Sequence, residues 1–472
     1  MLFLVPGSPP CMNGVAEACF DKITSQHISK SKVQTAFYLL LGAIGISPGI
    51  LLFDRPIIDG LLIAYTAVTV LMVGLSIRPG EAGYLSKIIR PIVISAIIPA
   101  VWMLIQILPM PVSSIAHPIW ASAQAALNHA VVPSISIDRG ATLLAFINYC
   151  FAASVIFVAV AVTIDRARAE FVLFWLTGIT TLAAVMLIGH ELGAAQLFVG
   201  IASTAPRDSL IAFAALGVIV NAAAAVRTIE RYETRRTSLD IPFVKLIHTL
   251  IIFLMALAIC ACAIIVFANA PIIFAASSGL TTFIVVMVIR RIGFGPWVSI
   301  IIALTAVIVA IVIVATNLGS GDLTLHFASN SSQALIQIAQ SVLSDTRWVG
   351  NGAGSLGSLL PIYQNIDRSI VGPYAPTSAA TIAIELGRPA LWVILAMVVV
   401  LLTQLLRGAL QRGRDSFYPT AGASCLVALT FEAFCDSALL ERATIIISAT
   451  ILGLAFAQSV SRTNQTNLAR QS

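Results

Sequence analysis

Residues equipped for chemistry are sparse in this sequence, and they stand at the ends of apolar runs rather than within them. Ser203-Thr-Ala-Pro-Arg207-Asp-Ser209 puts a guanidinium where a helix should start, so the cation and the first backbone amides reinforce one another. That combination suits a phosphate or pyrophosphate. The plainer alternative is an ordinary cap in which Asp208 is the ion-pair partner. His190-Glu191 closes the preceding apolar run, close in sequence to Arg207. The glycine-rich stretch 350–357 is neither a P-loop nor a dinucleotide fingerprint, because it lacks Gly-Lys-Ser/Thr and follows no strand; a tight turn allowing close backbone approach is the simpler reading. Arg347, Glu385 and Arg388 flank that stretch, and His326 lies before it. Carboxylates in apolar runs, the mark of ion-coupled transporters, are limited to Asp59, Glu432 and Asp436, all near run ends. No histidine pair has metal-ligand spacing, and no Gly-x-Ser-x-Gly nucleophile motif occurs.

The elements that position these residues follow from composition. Of 472 residues, 58% are hydrophobic and 10% charged. A water-soluble domain carries about a quarter charged residues, so this chain cannot cover itself with polar surface. Apolar runs of about 20 residues are the use such a composition allows. The expected fold is an all-α polytopic integral membrane protein with about 12 transmembrane helices. Its net charge of +6 is spread thinly, which excludes the basic patch of a nucleic-acid binder. The seven cysteines are scattered, mostly inside apolar runs, and form no disulfide or zinc pattern.

Orientation follows from lysine and arginine. With both termini in the cytoplasm, all but seven of the 27 cationic residues fall inside. Those left outside are Arg55, Arg139, Arg207, Arg347, Arg368, Arg388 and Arg442, each of which could simply meet lipid phosphate. The organisation expected is a cytoplasmic tail at 1–33, nine spans over 34–316, a large periplasmic loop at 317–389, three spans over 390–460 and a second cytoplasmic tail at 461–472. The spans include runs at 57–77, which Asp59 and Gly60 weaken, and at 141–163, 246–267, 297–316, 418–435 and 443–460.

A smaller outer loop runs from 109 to 140. In the large one, Leu335, Ile338, Ala339, Val342 and Leu343 have helical spacing and predict an amphipathic helix on the bilayer or on the bundle. A short helix should lead through Glu385-Leu-Gly-Arg388 into Pro389. Loops this long are functional or disordered, and this one has too much apolar patterning for disorder.

Several segments resemble the bacterial O-antigen ligase and polymerase superfamily, particularly its exopolysaccharide-type members. Ser344-Asp-Thr-Arg-Trp-Val-Gly350-Asn-Gly-Ala-Gly354, then Pro361-Ile-Tyr363 and Ile384-Glu-Leu-Gly387, follow the family's large-loop pattern. Thr204-Ala-Pro-Arg207-Asp resembles its arginine segment, Trp102 to Pro111 its first outer loop, and Glu432-Ala-Phe-Cys-Asp436 through Gln458 its last two spans. Two features depart. The family's histidine should fall near Pro376 and Thr377, where none stands, and Pro206 and Asp208 replace the asparagines that flank the arginine.

The resemblance implies a glycosyltransferase of the inner membrane that works on glycan linked to undecaprenyl pyrophosphate at the periplasmic face. Its product would be a surface polysaccharide, exopolysaccharide or lipopolysaccharide, and it would need no metal, nucleotide or other cofactor. An acceptor hydroxyl attacks the anomeric carbon and the lipid pyrophosphate leaves, so cations must hold the pyrophosphate and a base must take a proton. Arg207 is the expected pyrophosphate ligand, with Arg347 or Arg388 as the second cation. The base remains open among His326, Glu385 and His190. A catalytically silent relative serving other envelope polysaccharide assembly proteins is the alternative. A lipid-linked glycan transporter fits less well.

Overall fold

The computed structural model describes residues 33–51, 56–77, 79–110, 115–193, 207–235, 243–292, 323–328, 333–363, 377–411 and 415–460. The predicted span 297–316, both tails, Arg55, Arg368 and Pro376 lie outside them. Every regular element described is helical. In chain order these are α1 (Val33–Ile50), α2 (Pro56–Ser76), α3 (Pro79–Ile107), α4 (Ile119–Leu127), α5 (Arg139–Val162), α6 (Arg166–Glu191), α7 (Arg207–Arg235), α8 (Phe243–Phe267) and α9 (Ala270–Ile292). There follow a single turn α10 (Leu323–His326), then α11 (Gln333–Asp345), α12 (Leu356–Tyr363), α13 (Ser378–Glu385), α14 (Arg388–Gln411), α15 (Phe417–Glu432) and α16 (Arg442–Ala457).

Nine of the described helices, α1–α3, α5–α9 and α14, are long and apolar enough to cross a membrane. Leu71, Ile94, Met255 and Val400, on α2, α3, α8 and α14, are each half or more exposed. Large apolar side chains facing outward on so many helices need hydrocarbon around them. The protein is an α-helical membrane protein.

Helix α7 is the centre, with 89% of its apolar stretch buried. Its run Ala222-Ala-Ala-Ala225 and Gly217 offer small side chains on which neighbours close in, as membrane helices do where no hydrophobic drive separates protein from lipid. Against it pack α6, α8, α9, α15 and α16. Gly279 of α9 meets Ile219, Ala428 and the Ser424 carbonyl so closely that a methyl group would not fit. Helices α15 and α16 depart from the sequence expectation. Each has 16 residues, about 24 Å at the α-helical rise, short of a 30 Å hydrocarbon core. Nearly every residue of α15 is buried, so its apolar character serves protein neighbours rather than lipid.

One end of the bundle collects the long connections and is called the loop end here. Its cap has its own small core: Leu325, Val342, Leu343, Leu359, Ala383 and Ile384 are buried together. The amphipathic α11 therefore turns its apolar face into this cap, against α12 and α13. At the other end Glu170 of α6 joins Arg227 (2.5 Å) and Arg231 (3.3 Å) of α7, while Arg166 pairs with Asp415 at 2.8 Å.

Candidate functional site

Two groups of polar side chains occupy the loop end. The first is built around the glycine-rich turn. Gly350 (φ +76°), Gly352 (+104°), Gly354 (+72°) and Gly387 (+96°) all hold left-handed backbone. A Cβ on Gly350 would strike the Glu385 carbonyl, and one on Gly387 the Trp348 carbonyl, so the two backbones touch as only glycines permit. Asn351 N and Gly352 N donate to the carbonyls of Ile384 (3.1 Å) and Glu385 (3.0 Å), and Ile137 N donates to Asn351 O (3.0 Å). Gln106, fully buried in α3, pins the knot. Its Nε2 donates to Val349 O (3.1 Å) and Glu385 O (3.0 Å), and its Oε1 accepts from Ala353 N at 3.1 Å. Trp102 Nε1 adds a bond to Leu386 O at 2.9 Å. The turn is a structural joint.

Three of the sequence candidates belong to this group. Glu385 points its carboxyl at the start of α12, accepting from Leu356 N at 3.3 Å and from the Gly354 amide. Burial pushes it up to about 7 despite those two amides, which pull the other way. Arg347 donates to Ala116 O at 2.8 Å. Burial first, and the Arg347 charge second, lower the pKa of His117, whose ring bonds Asn351. Arg388 starts α14 and donates to Leu343 O at 3.4 Å.

The second group lies where α6, α7, α8 and α15 end. Arg207 is the first residue of α7, as the sequence predicts. Its partner is Glu191 rather than Asp208: Nε lies 3.0 Å from Glu191 Oε1, and Nη2 donates to Phe267 O at 2.9 Å. His190 Nδ1 stands 3.9 Å from the same Glu191 oxygen. The structure thus brings Arg207 and His190 together through Glu191. The Arg207 side chain is 47% exposed.

Beside Arg207 the other carboxylates gather. Asp208 interacts electrostatically with Glu432 and Asp436, both buried at the end of α15. Onto the Asp436 carbonyl dock Ser378 N (2.7 Å) and Ser378 Oγ (3.0 Å), while Ala379 N reaches Ala433 O at 2.8 Å. Thr377 caps α13, its hydroxyl accepting from Ala380 N (3.0 Å) and donating to Thr324 O (2.7 Å). His326 is thereby tethered two residues away, exposed and edge-on to Phe327 at 5.3 Å between ring centres. Asp59 and Arg442 form a separate ion pair between α2 and α16, with Asn148 Oδ1 accepting from Arg442 at 3.1 Å.

An apolar groove of about 440 Å³ adjoins the second group. It opens between α9, α14 and α15, lined by Pro271, Phe274, Trp392, Leu395, Phe431 and Phe434 among others. Pro271 lies four residues beyond Phe267, the residue to which Arg207 is bonded. Among the described residues no three His, Cys, Asp or Glu side chains are placed to hold a metal ion.

Gln106 as the anchor of the turn, Glu191 as the partner of Arg207 and Asp208 as the neighbour of Glu432 and Asp436 escaped the sequence reading. A lone glutamine inside an apolar run was the available signal for the first. For Glu191 it was a charge beside His190 at the end of a span. No family model matches this chain, and no curated protein matches it.

Proposed function

We propose that the protein is a membrane glycosyltransferase of the O-antigen ligase and polymerase type, with its loop end in the periplasm and both termini in the cytoplasm. Its substrate is glycan carried on undecaprenyl pyrophosphate, and its role lies in surface polysaccharide synthesis at the inner membrane. The observation that carries this reading is Arg207: a half-exposed side chain at a helix start, held by Glu191 and the Phe267 carbonyl, at the end of the bundle where an apolar groove opens. Pyrophosphate needs the first feature and a polyprenyl chain the second. Arg347 and Arg388 stand in the other polar group, so the reading gives Arg207 the main charge on the leaving group.

A catalytically silent relative is the second reading, and one observation favours it. Glu385, the only carboxyl among the sequence-derived base candidates, is engaged in capping α12.

The test uses purified protein in nanodiscs with undecaprenyl-pyrophosphate glycan, free of nucleotide and metal. Release of undecaprenyl pyrophosphate with lengthened glycan, lost in Arg207→Ala, supports the transferase. Substrate that stays intact yet binds in an Arg207-dependent way supports the silent relative. Neither turnover nor binding removes both readings.

A further inference from the structure

The carboxyl cluster at the end of α15 has no task in the fold described so far. Glu432 is 1% exposed and neither of its carboxyl oxygens has a hydrogen-bond partner. One turn on, Asp436 is 2% exposed; its Oδ1 accepts from Ala438 N at 3.0 Å while Oδ2 has no partner. Leaving such oxygens buried without a partner is costly, more so when charged. Evolution of a purely structural turn has an easy remedy in Gln and Asn, and the chain carries acids instead.

The groups that face the pair explain what the acids can do. Asp208 approaches from α7, and Cys425 and Cys435 lie on the pair's own segment. Ser378 comes from α13 and the Ala438 amide from the short turn before α16. The basic residues of α9, Arg290 and Arg291, lie in its last turn, at the opposite end of the bundle. Carboxyls are thus surrounded by carboxyls, thiols and a hydroxyl, an environment that disfavours two negative charges on the pair. Burial, reinforced by the Asp208 charge, holds Asp436 above the usual carboxylate range.

Position supplies the rest. Asp208 is the next residue after Arg207, and Phe431, Phe434 and Cys435, interleaved with the two acids, line the apolar groove. The cluster therefore neighbours the groove wall on one side and, through Asp208, the helix start that carries the cation on the other.

We propose that Glu432 and Asp436 act together as the acceptor of the proton released by the attacking hydroxyl. This rests on the transferase reading. The acceptor O–H bond breaks as its oxygen forms the new bond to the anomeric carbon. The bond from that carbon to the pyrophosphate breaks, and its electron pair leaves on the phosphate oxygen beside Arg207. The proton passes to the pair through a water molecule admitted at the loop end when the glycan-lipid binds, a general base acting either directly or over one such water. Return of the proton to water at the loop end restores the pair.

The experiment compares wild type, Asp436→Asn and Glu432→Gln in nanodiscs with undecaprenyl-pyrophosphate glycan, measuring turnover against pH and substrate binding separately. Each variant should lose about 10²-fold or more in turnover, lose the acidic limb of its pH profile, and bind substrate as wild type does. Both variants with wild-type rate and wild-type limb overturn this role while leaving the transferase standing. Wild type without turnover overturns the transferase and this role together. Should one amide variant fail to fold, the other decides, and so does infrared spectroscopy. The carbonyl band of a protonated carboxyl that the folded variant lacks, read as the difference between wild type and variant, should titrate, and a wild type showing no such difference overturns the proposal.

Discussion

Gly387 is the position where the loop end should be most sensitive to a single methyl group. It joins α13 to α14 with φ +96°, where an L side chain is strained by about 1–3 kcal/mol. In Gly387→Ala the new Cβ lands on the Trp348 carbonyl oxygen and 3.0 Å from Gly350 N. Both obstacles are backbone, so no side chain can swing away, and overpacking of this kind costs about 1–3 kcal/mol more. The sum is on the order of 2–6 kcal/mol. Gly357, in α12, is the control, because a Cβ there meets nothing within 4 Å. Gly357→Ala should hold or raise stability by up to about 1 kcal/mol through helix propensity. Thermal unfolding in one detergent, followed by circular dichroism, compares the two. Gly387→Asn sharpens the result: asparagine tolerates left-handed backbone but carries the same Cβ, so it should rescue only the strain. A Gly387→Ala protein unfolding at the wild-type temperature would refute the reasoning that the glycines permit the contact.

Other positions give further tests. Gln106→Ala strands Val349 O and Ala353 N in a buried site, leaves Glu385 O with Gly352 N alone, and should cost about 3 kcal/mol, read by the same unfolding assay. Glu385 binds its proton more tightly folded than unfolded, so its contribution to stability is full below pH 4.5 and is lost as pH rises to about 7. The loss is about 3 kcal/mol at most, and Glu385→Gln should flatten it in unfolding measured at acid and alkaline pH. The proposed orientation predicts that a membrane-impermeant maleimide applied to intact spheroplasts labels Ser344→Cys but not Gln411→Cys, both exposed, at opposite ends. Reversed labelling would invert the topology.

How far the sequence reaches depends on the range of the interaction. Helices α2, α5 and α8 are written in local composition, and the predicted runs 57–77, 141–163 and 246–267 overlie them. Asp59, which weakened the first of these runs, is explained by Arg442 on α16. Arg207 at a helix start is equally local, since Pro206 and Asp208 announce the boundary. Its pairing with Glu191 is not, because a connection of no fixed length separates them. The Gln106 bonds join residues more than 240 positions apart, and nothing in the periodicity of α3 points to them. Apolarity also cannot tell lipid from protein, so the largely buried α15 and the exposed α8 read alike, as the runs 418–435 and 246–267.

The burial of α15 bears on how the chain is made. Helix α15 packs on α9 and α7, and α16 on α5, all of them synthesised earlier. The membrane-crossing helices made before α15 must therefore enter the membrane with one side of α7 and α9 uncovered and wait for the C-terminal hairpin. Until it arrives, Gly279 and the neighbouring face of α9 have lipid where Ala428 and Ser424 will sit. Membrane insertion and completion of the core are separate events in this protein, and a chain stopped short of residue 417 would be embedded but uncovered along that side.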